Sequence, residues 1–82
     1  MGTTKEDIQG WIKEGQDKGA THLIVVCDTF EYEDYPVYVM PGEDPIIKYN
    51  SYNGSNMQKV MEVYNLHKDL NKQLGQHRAL EF

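Results

Sequence analysis

The chain has little of what marks a disulfide framework, a nucleic-acid-binding surface or a membrane span. Cys27 is the only cysteine among 82 residues, which excludes an intrachain disulfide and a four-cysteine zinc site. Eight Lys and Arg stand against thirteen Asp and Glu, and the formal charge of −5 disfavours direct DNA binding. The longest apolar run, residues 23–27, is far below the roughly 20 residues of a transmembrane helix.

Catalytic and targeting motifs are also missing from the sequence. We find no P-loop, no GxGxxG, no His-Glu-x-x-His and no nucleophile elbow, so we predict no enzymatic activity, no cofactor and no catalytic residue. The N-terminus lacks a basic segment followed by an apolar one, and a single cysteine is typical of a reducing compartment. These observations predict a cytoplasmic protein that is not associated with a membrane.

What is present is the composition of one small globular domain, residues 1–82. Hydrophobic residues make up 39% of the chain and charged residues 26%, which is typical of folded proteins. A chain of this length buries only about 60% of the surface that it exposes when unfolded. Its own core is therefore thin, and self-association is expected to help.

Apolar periodicity and turn residues predict five elements of secondary structure. Thr4 followed by Asp7 is a capping box, and so is Ser55 followed by Gln58. The order predicts an α+β domain, an antiparallel sheet packed with two helices. The predicted elements are a helix at 4–18, strands at 22–27, 36–40 and 46–49, and a second helix at about 56–78.

The first two predicted strands are apolar on both faces. Leu23 and Val25 alternate with Ile24 and Val26 in the first of them, whereas a sheet with one solvated face alternates apolar with polar residues. Because two short helices leave part of such a sheet uncovered, we predict a dimer or larger assembly formed through the sheet or the second helix.

Between these strands lies an acidic and aromatic connection. The carboxylates converge in a way that suits a hard cation, but no glycine stands at the sixth position and no glutamate at the twelfth, as an EF-hand requires. We interpret the acids as a solvated loop and predict no metal site. The four carboxylates are those of Asp28, Glu31, Glu33 and Asp34.

Aromatic side chains are concentrated in the same connection and the strand after it. Tyrosine offers a stacking face and a hydroxyl group, which together suit a nucleotide base. The alternative is that these rings fill the edge of a small core. The side chains concerned are those of Phe30, Tyr32, Tyr35 and Tyr38.

A second candidate site lies at the start of the predicted second helix. Asn53 and Asn56 precede or begin this helix, whose free amide groups and dipole favour an anion, and Lys59 follows one turn later. The pattern predicts a phosphate site, although an ordinary capped helix start uses the same residues. An antiparallel sheet would bring it near the aromatic connection.

The remaining reactive side chains do not form a motif. Cys27 ends an apolar strand with no neighbouring Lys or Arg, so we predict a buried, unreactive thiol. His67 falls on the apolar side of the predicted second helix and is interpreted as a core or interface histidine, while His22 and His77 flank a strand and a helix end.

Two strings carry a resemblance to a known kind of protein: "ATHLIVVCDTFEYEDYPVYVMPGEDP" and "NMQKVMEVYNLHKDLNKQL". On these strings, which lie within residues 11–74, the chain resembles a family of small, largely uncharacterised proteins of phages and bacterial genomes. The resemblance carries over no functional residue. It implies a context, in which short phage proteins counter bacterial defences inside the host cytoplasm by sequestering a nucleotide signal or by blocking a defence protein.

The residues and this context lead to two functional hypotheses. The first is a non-enzymatic, homo-oligomeric protein that sequesters a small nucleotide-like ligand. The second is an acidic inhibitor or assembly module that engages a basic protein surface, with its carboxylates imitating nucleic acid. The ligand-binding residues predicted for the first hypothesis are Asp28, Thr29, Tyr32, Tyr35, Tyr38, Asn53, Asn56 and Lys59.

Overall fold

A central strand with an antiparallel neighbour on each side organises the fold. The computed structural model describes residues 4–54, 57–76 and 79–82. Within them, three strands form one sheet in the order β2-β1-β3, and three helices accompany it, which confirms the α+β class and the antiparallel pairing of the first two strands. The elements are α1 (Lys5–Lys18), β1 (His22–Asp28), β2 (Glu33–Val39), α2 (Pro45–Tyr52), β3 (Gln58–Asn65) and α3 (Leu70–Leu74).

The first helix begins and ends as its sequence predicts. The Thr4 hydroxyl accepts a hydrogen bond from the Asp7 amide, and the Asp7 carboxylate accepts one from the Thr4 amide, so the capping box is formed. Gly19 ends the helix in the left-handed conformation, at φ 78°. Ile8 and Ile12 are buried against the sheet. The helix predicted at 4–18 is therefore confirmed.

The strand predicted at 46–49 is wrong, because this segment is helix α2. The Asp44 carboxylate accepts hydrogen bonds from the amides of Ile46 (2.9 Å) and Ile47 (3.4 Å), and Pro45 occupies the first helical turn. Asp at the N-cap followed by Pro starts a helix, since proline has the required φ and its missing proton is not needed there. The β-branched isoleucines suggested a strand, but the cap decides the conformation.

The helix predicted at about 56–78 is also wrong. The chain forms strand β3 and then the short helix α3, so the order is α-β-β-α-β-α rather than α-β-β-β-α. The register of β3 against β1 shifts at a bulge, where Val25 pairs with Glu62 but Val26 pairs with Val60. The bulge breaks the two-residue period, so Val60, Val63 and Tyr64 acquire the spacing of a helix. Ser55, of the predicted capping box, lies outside the described residues.

Both faces of β1 are covered by the same chain. One face packs against α1 and α3, and we call it the α1 face; its buried residues include Leu23, Val25 and Tyr64. The other, the α2 face, buries Ile24, Val26, Val37, Val39, Val60 and Val63 beneath Tyr49 and Tyr52 of α2. The chain itself therefore supplies the cover that, from the sequence, a partner subunit was expected to provide. Oligomerisation itself stays a prediction.

The edges of the sheet differ. Along the outer side of β3, Val63 donates to the Ala79 carbonyl (2.8 Å) and accepts from the Glu81 amide (3.0 Å), so the C-terminal segment covers this edge. β2 forms the other edge and contains Pro36, which sheets tolerate only in edge strands or bulges because proline has no amide proton. β2 also begins at Glu33, earlier than the predicted residue 36, which shortens the acidic connection to residues 29–32.

Candidate functional site

The turn between β1 and β2 is fixed by hydrogen bonds to Asp28. Its carboxylate accepts from the amides of Phe30 (2.9 Å) and Glu31 (3.4 Å), and its carbonyl accepts from the amide of Tyr32 (2.6 Å). Tyr32 has φ +58°, in the left-handed region that non-glycine residues seldom occupy. Asp28, the last residue of β1, therefore fixes the backbone of the turn that follows it.

A second segment is attached to this turn through Thr29. The Thr29 amide (2.7 Å) and hydroxyl (2.6 Å) both donate to the carbonyl of Met57, which precedes β3. Met57 also has a positive φ, +60°. Left-handed conformations outside glycine cost on the order of 1–3 kcal/mol each and persist only where the surrounding structure holds them. Here Asp28 holds Tyr32, and Thr29, in the same turn, holds Met57.

These two segments present large side chains to solvent at one end of the sheet. Phe30 is 70% exposed, Tyr32 68% and Met57 58%, and the carboxylates of Glu31 and Glu33 beside them are exposed as well. We call these five residues the tip. Single exposed apolar residues are common on protein surfaces, but several together, rimmed by charge, are typical of interaction sites.

Cys27 lies next to the tip in β1, between Asp34 of β2 and Lys59 of β3 in the strand register. The thiol is partly buried rather than buried, which corrects the expectation from the sequence. Burial, and then a hydrogen bond with Asp34, raise the pKa of Cys27. A raised pKa keeps the thiol protonated, so low reactivity stays our prediction.

The tyrosines predicted to stack together are not brought together. Tyr35 lies on the α2 face, where its hydroxyl accepts a hydrogen bond from the Gln58 amide group. Tyr38 lies on the α1 face, where its hydroxyl donates to the Trp11 carbonyl (3.1 Å) and Lys18 lies 4.7 Å from its ring centre. Tyr32 belongs to the tip.

The predicted phosphate site is not assembled either. Asn53 ends α2, and its side-chain oxygen accepts a hydrogen bond from the Val60 amide (3.3 Å). Lys59 is exposed in β3. Gln58–Asn65 forms strand β3 rather than the first turns of the predicted helix, so these residues do not supply the helix start on which the anion site depended. Asn56 lies outside the described residues.

The structure instead assembles an aromatic and polar cluster that the sequence reading missed. Tyr35, Tyr49 and Tyr52 pack over the valines of the α2 face, and the Asn53 amide group donates to the Tyr49 hydroxyl (3.2 Å). Burial, and then the nearby Tyr52, raise the pKa of Tyr35. The spacing of Tyr49 and Tyr52, one helical turn apart, would have revealed the pair had the segment been recognised as a helix.

Neither metal chemistry nor a membrane helix is found in the described part of the chain. Among residues 4–54, 57–76 and 79–82, no three His, Cys, Asp or Glu side chains are grouped so that they could hold a metal ion. In the same residues, no helix is long and apolar enough to cross a membrane.

His22, at the opposite end of β1 from the tip, is a buried titratable group. It is 8% exposed, its Nδ1 lies 2.9 Å from the Thr21 hydroxyl, and its Nε2 has no hydrogen-bond partner among the described residues. Burial, and then the charges of His67 and Lys68, lower the pKa of His22 from 6.5. His67 is exposed in the turn after β3, which corrects its predicted place in the core, whereas a place in an interface stays a prediction.

We predict that acid destabilises the fold through His22. The unfolded chain takes up the proton more readily, so the free energy of unfolding is highest above pH 6.5 and falls as the pH drops below it. Urea denaturation between about pH 8 and pH 5.5 measures this slope. His22→Gln should flatten the slope, whereas His67→Gln should retain most of it, because burial is the larger cause of the lowered pKa of His22. Equal slopes in the wild type and His22→Gln would refute the assignment.

The fold and the tip define a small α+β domain that presents acidic and aromatic side chains at one end of an otherwise well-covered sheet. Comparison of the chain with protein-family models, with curated proteins and with solved structures gives no match.

Proposed function

We propose that this protein is a non-enzymatic binding protein that docks its tip on a basic surface of a partner protein. The observation that supports the proposal is the joint exposure of Phe30, Tyr32 and Met57 on two segments that hydrogen bonds tie together. A surface held in advance of binding loses less conformational entropy when it binds.

Charge supports a basic partner. Glu31 and Glu33 flank the exposed rings, and the whole chain carries a formal charge of −5. Such a field attracts a positive surface and accelerates the encounter, while a few desolvated aromatic side chains contribute most of the affinity. This is the inhibitor or assembly module among the two hypotheses from the sequence.

Capture of a small nucleotide-like ligand is the second candidate, and the cluster on the α2 face favours it. Tyr35, Tyr52, Asn53 and Gln58 combine rings with amide groups, as recognition of a base requires. Either activity would suit a phage protein that counters a bacterial defence in the host cytoplasm, which is the context implied by the sequence resemblance.

Replacing the tip rings separates the two functions. Phe30→Ser with Tyr32→Asn removes both rings, and asparagine tolerates the left-handed backbone at residue 32. The wild type should retain a basic protein from a bacterial lysate, and with that protein purified, the variant should bind it at least about 100-fold more weakly. Glu31→Gln with Glu33→Gln should reduce the association rate and its salt dependence.

The control is Ile46→Ser with Ile47→Ser, which removes two exposed apolar side chains of α2, outside the tip, and should leave partner binding unchanged. A thermal-shift panel of nucleotides and cyclic nucleotides runs in parallel. If a nucleotide raises the melting temperature and tip variants retain all partner binding, docking through the tip is refuted and ligand capture takes its place.

A further inference from the structure

Helix α2 is oriented with its tyrosines inward and its isoleucines outward. Tyr49 and Tyr52 pack on the valines of the α2 face, whereas Ile46 is 53% and Ile47 66% exposed. A helix at a protein surface ordinarily turns its aliphatic residues to the core. The orientation of α2 therefore leaves the side chains of Ile46 and Ile47 in water, and the exposure of their apolar surface is unfavourable.

This outer surface of α2 also carries little net charge. The helix contains no Asp or Glu, and its one charged residue, Lys48, forms an ion pair with Glu43 at 3.1 Å. The carboxylate of Asp44, just before the helix, accepts hydrogen bonds from the amides of Ile46 and Ile47, and the positive end of the helix dipole offsets part of its charge. We call Glu43, Asp44, Ile46, Ile47 and Lys48 the α2 outer surface.

We infer that the α2 outer surface binds the same surface of a second copy of this chain, forming a twofold-symmetric dimer. Two copies each carry a formal charge of −5, and their acidic surfaces repel each other. An apolar surface of low net charge is where that repulsion is small. A basic partner, in contrast, gains little charge complementarity there and is attracted more strongly to acidic surfaces such as the tip.

The charged pair at this surface suits a twofold axis. Such an axis places every residue of one copy opposite the corresponding patch of the other, so a repulsive contact would occur twice. Glu43 and Lys48 supply one charge of each sign, and Lys48 can face Glu43 of the partner subunit as well as its own. The dimer thus forms through α2, whereas the sheet and the segment 56–78 were the expected interfaces.

Sedimentation of the purified protein across about 1 to 100 μM tests the inference, since mass action favours the dimer at high concentration. The wild type should reach twice the chain mass. Ile46→Ser with Ile47→Ser should weaken self-association at least about 100-fold, because apolar side chains at the centre of an interface carry much of its affinity. Circular dichroism should show that the variant remains folded.

Two further variants make the outcome specific. Lys48→Glu places like charges across the axis and should weaken the dimer about tenfold or more, whereas Lys48→Gln should have a small effect. Phe30→Ser with Tyr32→Asn should dimerise like the wild type, which separates this inference from docking through the tip.

A wild type that stays monomeric throughout overturns the inference, as does a dimer that persists in the isoleucine variant. If Ile46→Ser with Ile47→Ser abolishes binding of another protein while no self-association is seen, the surface belongs to that protein instead.

Discussion

Replacing either Leu23 or Ile24 by Ala should lower the free energy of unfolding by about 2 to 5 kcal/mol, although their side chains lie on opposite faces of the sheet. Both are fully buried, Leu23 on the α1 face and Ile24 on the α2 face. Each truncation removes apolar burial and leaves a cavity that neighbouring side chains fill only in part.

The comparison of the two variants is a test of how the sheet is covered. Urea denaturation at two protein concentrations gives each free energy of unfolding and its concentration dependence. We expect both losses to be independent of concentration within the monomeric range. A small loss for Ile24→Ala, or one that grows on dilution, would mean that another chain covers the α2 face.

Gln73→Leu should cost about 2 to 4 kcal/mol, because it leaves buried backbone groups without partners. Gln73 is 2% exposed, and its side-chain oxygen accepts from the Asn65 amide (2.7 Å). Its amide group donates to the carbonyls of Asn65 (2.9 Å) and Asp69 (3.2 Å). The Gln73 side chain thus joins helix α3 to the last residue of β3 by hydrogen bonds.

Lys72→Leu is the matched control, since it places the same residue at the adjacent exposed position of α3 and should change stability by less than about 0.5 kcal/mol. Thermal or urea denaturation measures both variants. Similar stabilities for the two would show that the Gln73 hydrogen bonds contribute little, and that α3 is held by Leu70 and Leu74 alone.

The elements that are predictable from sequence are those in which the starting residues, the ending residues and the apolar pattern all indicate the same secondary structure. Helix α1 has a capping box at Thr4, isoleucines at helical spacing and Gly19 at its end, so each local feature indicates the same element. The hairpin of β1 and β2 was recognisable from two apolar runs around a polar turn. Its limits were less clear, because the acidic residues Glu33 and Asp34 already belong to β2.

The two wrong elements have separate physical causes. In α2, Asp44 and Pro45 indicate the start of a helix, but the β-branched Ile46 and Ile47 that follow them are typical of a strand. In β3, a bulge shifts the alternation by one residue, and only the pairing with β1 reveals it. The second cause is a contact between distant segments, which a single sequence does not display.

The sequence predicts where the candidate site lies along the chain, but not how its side chains are arranged. The sequence identifies the acidic and aromatic turn, yet it does not indicate that Tyr35 and Tyr38 face opposite sides or that Thr29 binds Met57. The faces of Tyr35 and Tyr38 depend on where strand β2 begins. The bond from Thr29 to Met57 depends on a contact between segments that are distant in sequence. The predicted phosphate site failed because it depended on a helix over residues that form strand β3, Gln58–Asn65.

The position of β3 in the sheet has a consequence for the order of folding. β1 forms its local hairpin with β2, but its other edge waits for β3, whose Asn65 pairs with His22. Pairing β1 with β3 closes the loop that contains β2 and α2, and closing a loop of this length is slow compared with forming a hairpin. During synthesis, α1 leaves the ribosome before β1 and α2 before β3, so helices for both faces precede residue 65, but the edge of β1 that pairs with β3 stays unpaired until residue 65 follows. In that interval the nascent chain is most exposed to misassociation.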